Sequence, residues 1–137
     1  MKSALHNELI LASAGSGKTW QLTNRYIAIM GQALIAGDEV QPERIVAVTF
    51  TRKAAGEFFE SILHKLANAA RDPAEARKLA SDPDDPLHPI FSELKQQDYV
   101  QLLAIFLRRM PALFLGTLDS FFSAILQIGR ASCRERV

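Results

Sequence analysis

The amino-acid sequence predicts an α/β fold in which a parallel sheet is flanked by helices, and three observations carry that expectation. Glu8–Ala12 (ELILA) is a short apolar run ending at a cluster of small residues and glycines, the pattern of a buried strand feeding a loop. Arg44–Phe50 (RIVAVTF) is β-branched and apolar through its centre, as in a strand covered on both faces. Each run is followed by a helical stripe, and strands that alternate with helices join by crossovers into one parallel sheet.

In chain order, Leu22, Tyr26, Ile29, Met30, Ala33 and Leu34 recur at three- and four-residue steps from Lys18 onward, and Gly37 is placed to stop that helix. A second helix is expected over Lys53–Ala70, with Ala54, Phe58, Ile62 and Leu66 four apart. Residues 71–90 hold four of the six prolines and five aspartates or glutamates, so a surface excursion or a broken helical pair is expected there rather than sheet. A helix over about Phe91–Arg109 precedes Pro111, and Leu113–Leu118 (LFLGTL) reads as a third short strand. A last helix begins at Asp119 or Ser120, with Phe121 and Phe122 expected to anchor it to the sheet. One domain over residues 1–127 results, in which residues 71–110 form a helical insertion.

The final ten residues change character. Residues 128–137 (IGRASCRERV) abandon the apolar spacing of Phe121, Phe122, Ile125 and Leu126 and read as a non-native tail, similar to a translated sequencing adapter. Without Arg130, Arg134, Arg136 and Glu135 the net charge of +1 becomes −1. The chain is then expected to be a fragment of a longer protein.

Composition narrows the function classes without choosing one. A chain of 137 residues with 48% hydrophobic and 23% charged residues has the makeup of one soluble globular domain. The single cysteine, Cys133, excludes an internal disulfide and a thiolate-rich metal site. His6, His64 and His88 are scattered without metal-ligand spacing, and Asp82, Asp84 and Asp85 sit among prolines as loop residues. No apolar run approaches the roughly 20 residues that span a bilayer, and no basic-apolar-small leader opens the chain, so a cytoplasmic location without membrane contact is expected. The near-zero net charge neither points to nucleic acid nor excludes it.

The sharpest motif is the run Ala12, Ser13, Ala14, Gly15, Ser16, Gly17, Lys18 and Thr19, which has phosphate-loop spacing with alanine in place of the usual first glycine. Gly15 and Gly17 allow successive amides to turn into one concavity, at the start of a helix whose dipole favours anions. Lys18 would bridge the β- and γ-phosphates of ATP and the Thr19 hydroxyl would ligate Mg²⁺, which makes these two the catalytic candidates. A dinucleotide fingerprint would need glycine at position 20, where Trp20 stands. Trp20 itself either approaches the adenine or packs in the core.

A phosphate loop serves kinases, GTPases and motors alike, and the following segments separate them. Thr49–Glu57 (TFTRKAAGE), directly after the second strand, resembles motif Ia of superfamily 1 helicases of the UvrD, Rep, RecB and AddA group, commonly written TFTNKAAxEM, with Phe58 in place of methionine. Gly116–Phe121 (GTLDSF) resembles motif Ib of that group, often GTFHS or TIHSF, with Asp119 where histidine is common. The three motifs stand in family order over residues 12–121. The resemblance implies a partial RecA-like P-loop NTPase domain that uses ATP and Mg²⁺. It also implies contact with single-stranded and duplex DNA through Thr49, Phe50, Thr51, Arg52, Lys53, Thr117 and Ser120. Chemically these residues suit such contacts, since hydroxyls and cations meet phosphates and a phenyl ring stacks on bases.

The parent implied is a 3′-to-5′ DNA helicase of repair or recombination, with a nuclease subunit or domain as a possible companion. The glutamine-bearing adenine element, the Asp-Glu strand that holds Mg²⁺, the arginine fingers and the second motor domain of that group have no counterpart in these residues, so the fragment alone is expected not to turn ATP over. Two other readings stay open at this point, a nucleotide-dependent DNA-binding module without motor activity and an unrelated P-loop kinase.

Overall fold

The computed structural model describes residues 18–117, 119–120 and 122–127, apart from the side chains of residues 18, 19, 114 and 115. The first strand and the loop over residues 12–17 lie outside the described residues, as does the tail over 128–137. The described elements are α1 (Lys18–Ile35), β1 (Val46–Thr49), α2 (Arg52–Arg71), α3 (Pro73–Leu79), α4 (His88–Phe91), α5 (Gln96–Arg108) and β2 (Phe114–Thr117). Residues 119–120 and 122–127 are again helical. The chain is thus α/β, mostly helical among these residues, with β1 and β2 paired in parallel from Val46 opposite Phe114 to Thr49 opposite Thr117.

Local chemistry sets the boundaries. α1 stops where Gly37 takes φ +76, and the Asp38 amide reaches the Ala33 carbonyl at 2.9 Å while the Gly37 amide reaches that of Leu34 at 3.2 Å. This pair of bonds satisfies the last carbonyls of the helix and needs a left-handed residue, hence glycine. Thr51 caps α2, its Oγ1 accepting the Ala54 amide at 3.0 Å, and the buried positions Ala55, Phe58, Ile62, Leu66 and Ala69 follow the 3.6-residue period. The expected stripe began one residue early, at Ala54, because a strict four-residue step drifts around the helix. Asp72 caps α3 by accepting the Ala74 amide at 2.9 Å, with Pro73 in the first turn.

Two expectations need correction. The helix expected from Phe91 starts at Gln96: Pro89 opens the separate short helix α4, and the Asp98 carboxylate accepts the Lys95 amide at 2.8 Å, which fixes the start of α5. The second correction concerns α1. Helices that each follow a strand of one parallel sheet run in the same direction. Here α1 and α2 run antiparallel, because Tyr26 meets Phe58, Thr23 meets Ser61 and Asn24 meets Lys65. Among the described residues α1 buries its apolar face mainly against α2, α4 and α5, with Leu22, Tyr26 and Ile29 also bordering β1 across a cleft.

The core lies between α1, α2 and α5. Tyr26 meets Phe58 and Phe106 edge-on at 6.0 Å, and Phe59 lies 5.5 Å from Phe106. Ile27, Met30, Ile62, Leu66, Phe91, Tyr99 and Leu102 fill the space around these rings. The Tyr26 hydroxyl donates to the Pro42 carbonyl at 3.3 Å and ties α1 to the turn before β1. Arg109, after α5, reaches Glu39 at 3.2 Å and Glu43 at 3.6 Å on that same approach to β1. No described helix is long and apolar enough to cross a membrane.

A polar seam runs between α1 and α2. Thr23 Oγ1 donates to Ser61 Oγ at 3.0 Å, and Lys65 Nζ donates to Asn24 Oδ1 while its ammonium lies 4.5 Å from the centre of the Trp20 ring. Burial pulls the Lys65 ammonium down from its ordinary 10.5 to about 8. Burial pushes the Tyr26 and Tyr99 hydroxyls above the usual phenol range, with Glu43 adding to the first and Asp98 to the second.

Two outcomes follow from this anatomy. No atom comes within 4 Å of a Cβ built on Gly37. Gly37→Ala therefore meets only the left-handed backbone cost, and a urea titration should show a loss of about 1 kcal/mol with an unchanged slope and a smaller loss for Gly37→Asn. For Lys65, the folded value lies below the unfolded one, so the unfolded chain binds more protons between about pH 8 and 10.5 and stability rises with pH through that window. Tyr26 and Tyr99 have the opposite sign: the folded chain keeps their protons, and stability falls once the pH passes about 10. Denaturant titrations across this range should place the maximum where the two windows meet, at about pH 10. Lys65→Met should abolish the rise, together with the transition near pH 8 in the emission of Trp20, the sole tryptophan.

Candidate nucleic-acid interface

The parallel register sets two sequence-distant segments side by side. Thr49 ends β1 opposite Thr117 at the end of β2, so the chain leaves both strands at the same, carboxyl edge of the sheet. Open parallel sheets bind ligands at that edge, because the backbone there splays into loops and helix starts. From β1 the chain passes through Phe50 and Thr51 into α2; from β2 it passes into the helical residues 119–120 and 122–127.

Phe50 is 81% exposed, which the apolar strand before it does not require and core packing does not explain. It borders a cleft of about 600 Å³ with Arg52, Thr117, Asp119, Ser120, Ser123, Ala124 and Gln127. A second cleft of about 380 Å³ shares Arg52, Thr117 and Ser120 and reaches back to Gly56 and Phe59. Six of the sequence-predicted DNA residues, Thr49, Phe50, Thr51, Arg52, Thr117 and Ser120, thus come together at one strand edge. Lys53 is exposed one position further along α2 and lines neither cleft.

The hydroxyls are not equivalent. Thr49 Oγ1 donates to the Thr51 carbonyl at 2.9 Å and lies 3.4 Å from the Gly116 carbonyl, so its hydrogen is engaged within the fold and straps β1 to β2. Thr51 Oγ1 accepts from the Ala54 amide and keeps its hydrogen for an outside acceptor. Thr117 Oγ1 accepts from the Ser120 amide at 3.2 Å and shares one hydrogen with Ser120 Oγ at 2.9 Å, which leaves the other hydroxyl hydrogen of that pair to donate outward. Among the described residues, an anion at this edge therefore finds two hydroxyl hydrogens without an acceptor and the Arg52 guanidinium.

The nucleotide candidates are only partly covered. Ala12, Ser13, Ala14, Gly15, Ser16 and Gly17 lie outside the described residues; Lys18 and Thr19 are the first two residues of α1. The first turn of α1 itself carries no acidic residue, and amides at a helix start are suited to an anion. Trp20 is 55% exposed and borders two clefts, one with Lys65, Asn68 and Lys78 and the other with Asn24, Arg25 and Leu87, so it packs on Lys65 at the surface rather than in the core. Phe122 is 54% exposed, and Phe121 lies outside the described residues. Asp82 and Asp85 accept the amides of Asp84 at 3.0 Å and Leu87 at 2.9 Å, which makes them turn residues.

Sequence reasoning left Asp119, Ser123 and Gln127 out of the site. Their four-residue spacing on a helix that follows motif Ib was the signal that would have placed them along one wall of the cleft.

Residues 1–131 match the UvrD/REP helicase N-terminal domain family. Among curated proteins, the chain is 49% identical over 70 residues to a DNA helicase II of Rickettsia typhi, a segment that covers 49% of this chain and 10% of that protein. It is 52% identical over 65 residues to an ATP-dependent DNA helicase PcrA of Leuconostoc citreum, 47% of this chain and 8% of that one. It is also 47% identical over 62 residues to one subunit of an ATP-dependent helicase/nuclease of Pediococcus pentosaceus, 45% of this chain and 4% of the other. The matched segments thus span a tenth or less of these relatives. No solved structure matches the chain. With residues 1–131 covered by the family and the motif Ia and Ib segments meeting at one strand edge, the chain belongs to the UvrD/REP helicases, as a part of their N-terminal domain.

Proposed function

We propose that this chain is the first part of the motor of an ATP-dependent DNA helicase, with a nucleotide held by Ala12–Thr19 and single-stranded DNA held at the carboxyl edge of β1 and β2. The observation that carries the DNA half is the in-register meeting of Thr49–Arg52 with Thr117–Ser120 beside the exposed ring of Phe50. Thr51, the Thr117–Ser120 pair and Arg52 take phosphate oxygens, Phe50 stacks on a base, Thr49 holds the strands in place, and Lys53 adds positive charge from outside the cleft. The DNA partner is single-stranded, exposed as duplex opens.

For the nucleotide half, ATP with Mg²⁺ supplies the phosphoryl chemistry when bound. Lys18 would neutralise the β- and γ-phosphates, the amides of residues 12–17 would hold them, and the Thr19 hydroxyl would serve as a ligand to the metal. The RecA-like fold, 3′-to-5′ direction, a role in repair or recombination and a nuclease companion belong to the whole protein. The last is in keeping with the helicase/nuclease name of one relative. Residues 1–137 by themselves bind nucleotide without turning it over, because no Asp-Glu strand to hold the metal and orient water occurs among them.

Two measurements test the halves separately. Lys18→Ala should weaken binding of a fluorescent ATP analogue by roughly tenfold or more, the loss of charge-assisted bonds worth about 1.5–3 kcal/mol each, and unchanged affinity would remove the phosphate loop from the reading. Arg52→Ala should weaken binding of single-stranded DNA of any sequence and lower the salt dependence by about 0.7 in the log–log slope, one phosphate contact on a single strand. A P-loop kinase would bind nucleotide and show no oligonucleotide affinity at all.

A further inference from the structure

The cleft beside Phe50 has two unlike walls. One is the phenyl ring, 81% exposed. The other is the helical face that presents Asp119, Ser123 and Gln127, with Ser120 and Ala124 beside them. Asp119 is the informative member. A carboxylate only accepts hydrogen bonds, and it repels a phosphate placed against it. The groups suited to a phosphate, Arg52 and the Thr117–Ser120 hydroxyls, border both this cleft and the smaller one that reaches Gly56, whereas Asp119, Ser123 and Gln127 border this cleft alone. The phosphate therefore belongs toward the shared end. At the Asp119 end, the fitting ligand group is flat enough to lie on the ring and offers N–H donors at its edge. A nucleobase meets both requirements, and a cleft of about 600 Å³ admits one.

The bases differ in what they offer a carboxylate. Cytosine and adenine present an exocyclic amino group, and guanine presents an amino group beside a ring N–H that together match two carboxylate oxygens. Thymine has one ring N–H set between two carbonyl oxygens, which bring partial negative charge against the carboxylate. We infer that Asp119 is a specificity-determining residue that makes this cleft select a single-stranded base bearing an exocyclic amino group over thymine. The inference rests on the DNA reading above and adds to it a base preference at one position. It also gives a chemical consequence to the carboxylate standing where histidine is common.

The test is fluorescence anisotropy at one fixed salt concentration with oligodeoxycytidine and oligodeoxythymidine of equal length, for the unaltered chain, Asp119→Ala and Asp119→Asn. The unaltered chain should bind the cytidine strand about fivefold more tightly, the lower end of what a good base contact contributes. Asp119→Ala should bring the ratio close to one, mainly by tightening the thymidine complex as the repulsion disappears. Asp119→Asn should tighten it further, since the amide adds a donor for a thymine carbonyl. Asp119 also sits in the first turn of its helix, where an acid favours the dipole. If that were its only role, Asp119→Ala would lower the melting temperature and leave the ratio where it was, and the inference would fall. Equal affinity of the unaltered chain for both strands would overturn it as well, with DNA binding itself intact. Absence of binding to either strand would overturn the DNA reading, and the base preference with it.

Discussion

The contact on which the interface depends is the burial of Phe106. Thr49 and Gly116, which meet across the sheet, are 67 residues apart in sequence. What returns the chain to β1 after that excursion is α5, held by a ring with no exposed surface that meets Tyr26 of α1 edge-on and lies tilted against Phe59 of α2. Closure entropy grows only with the logarithm of loop length, about 0.6 kcal/mol per doubling, so the size of the excursion matters little once such an anchor exists. Truncating a buried phenylalanine costs about 3–5 kcal/mol, a large share of a domain's net stability. The positions of Thr117, Asp119 and Ser120 therefore inherit their accuracy from this packing, which reaches the smaller cleft itself through Phe59.

This explains what could be read in advance. The α/β class, the strand at RIVAVT, the stop at Gly37, the helical break across residues 71–90 and the strand before motif Ib all have local causes: β-branching, a glycine at a left-handed position, prolines and capping side chains. The start of α5 was misplaced because Phe91 and Leu94 have the right apolar spacing for the helix yet are buried at the end of α4 and in the turn that follows it, while the Asp98 cap fixes the helix start. The orientation of α1 was illegible for a different reason. An apolar stripe says that a face is covered and not by what, and Tyr26 and Met30 serve a helix neighbour as well as a sheet.

Within the site, the motif spelled out which residues gather and could not rank them. Three threonines look interchangeable in TFT and GT, yet hydrogen-bond accounting separates them: the hydrogen of Thr49 is committed to backbone carbonyls, that of Thr51 is free, and Thr117 shares with Ser120. The same accounting separates the wall residues, since Asp119 has nothing to donate at all. A groove that reads as uniformly polar in one dimension is in three dimensions a donor end and an acceptor end, and a strand of DNA, which alternates anionic backbone with donor-bearing bases, has the complementary pattern.

The last constraint is distance. α2 has its Thr51 and Arg52 end at the cleft beside Phe50, and it is against Lys65, fourteen positions on from Thr51, that the first turn of α1 rests through Trp20. At 1.5 Å per residue these points are roughly 21 Å apart, beyond a Debye length of about 10 Å in ordinary salt. Exposed charge at the start of α1 is therefore largely screened from the cleft, and the structural link between them is a 20-residue helix packed against α1 and α5. A rod of this kind transmits translation and rotation without transmitting charge. Along that helix, the part-buried polar seam of Thr23, Asn24, Ser61 and Lys65 is where α1 is joined to α2 by hydrogen bonds rather than by apolar packing alone.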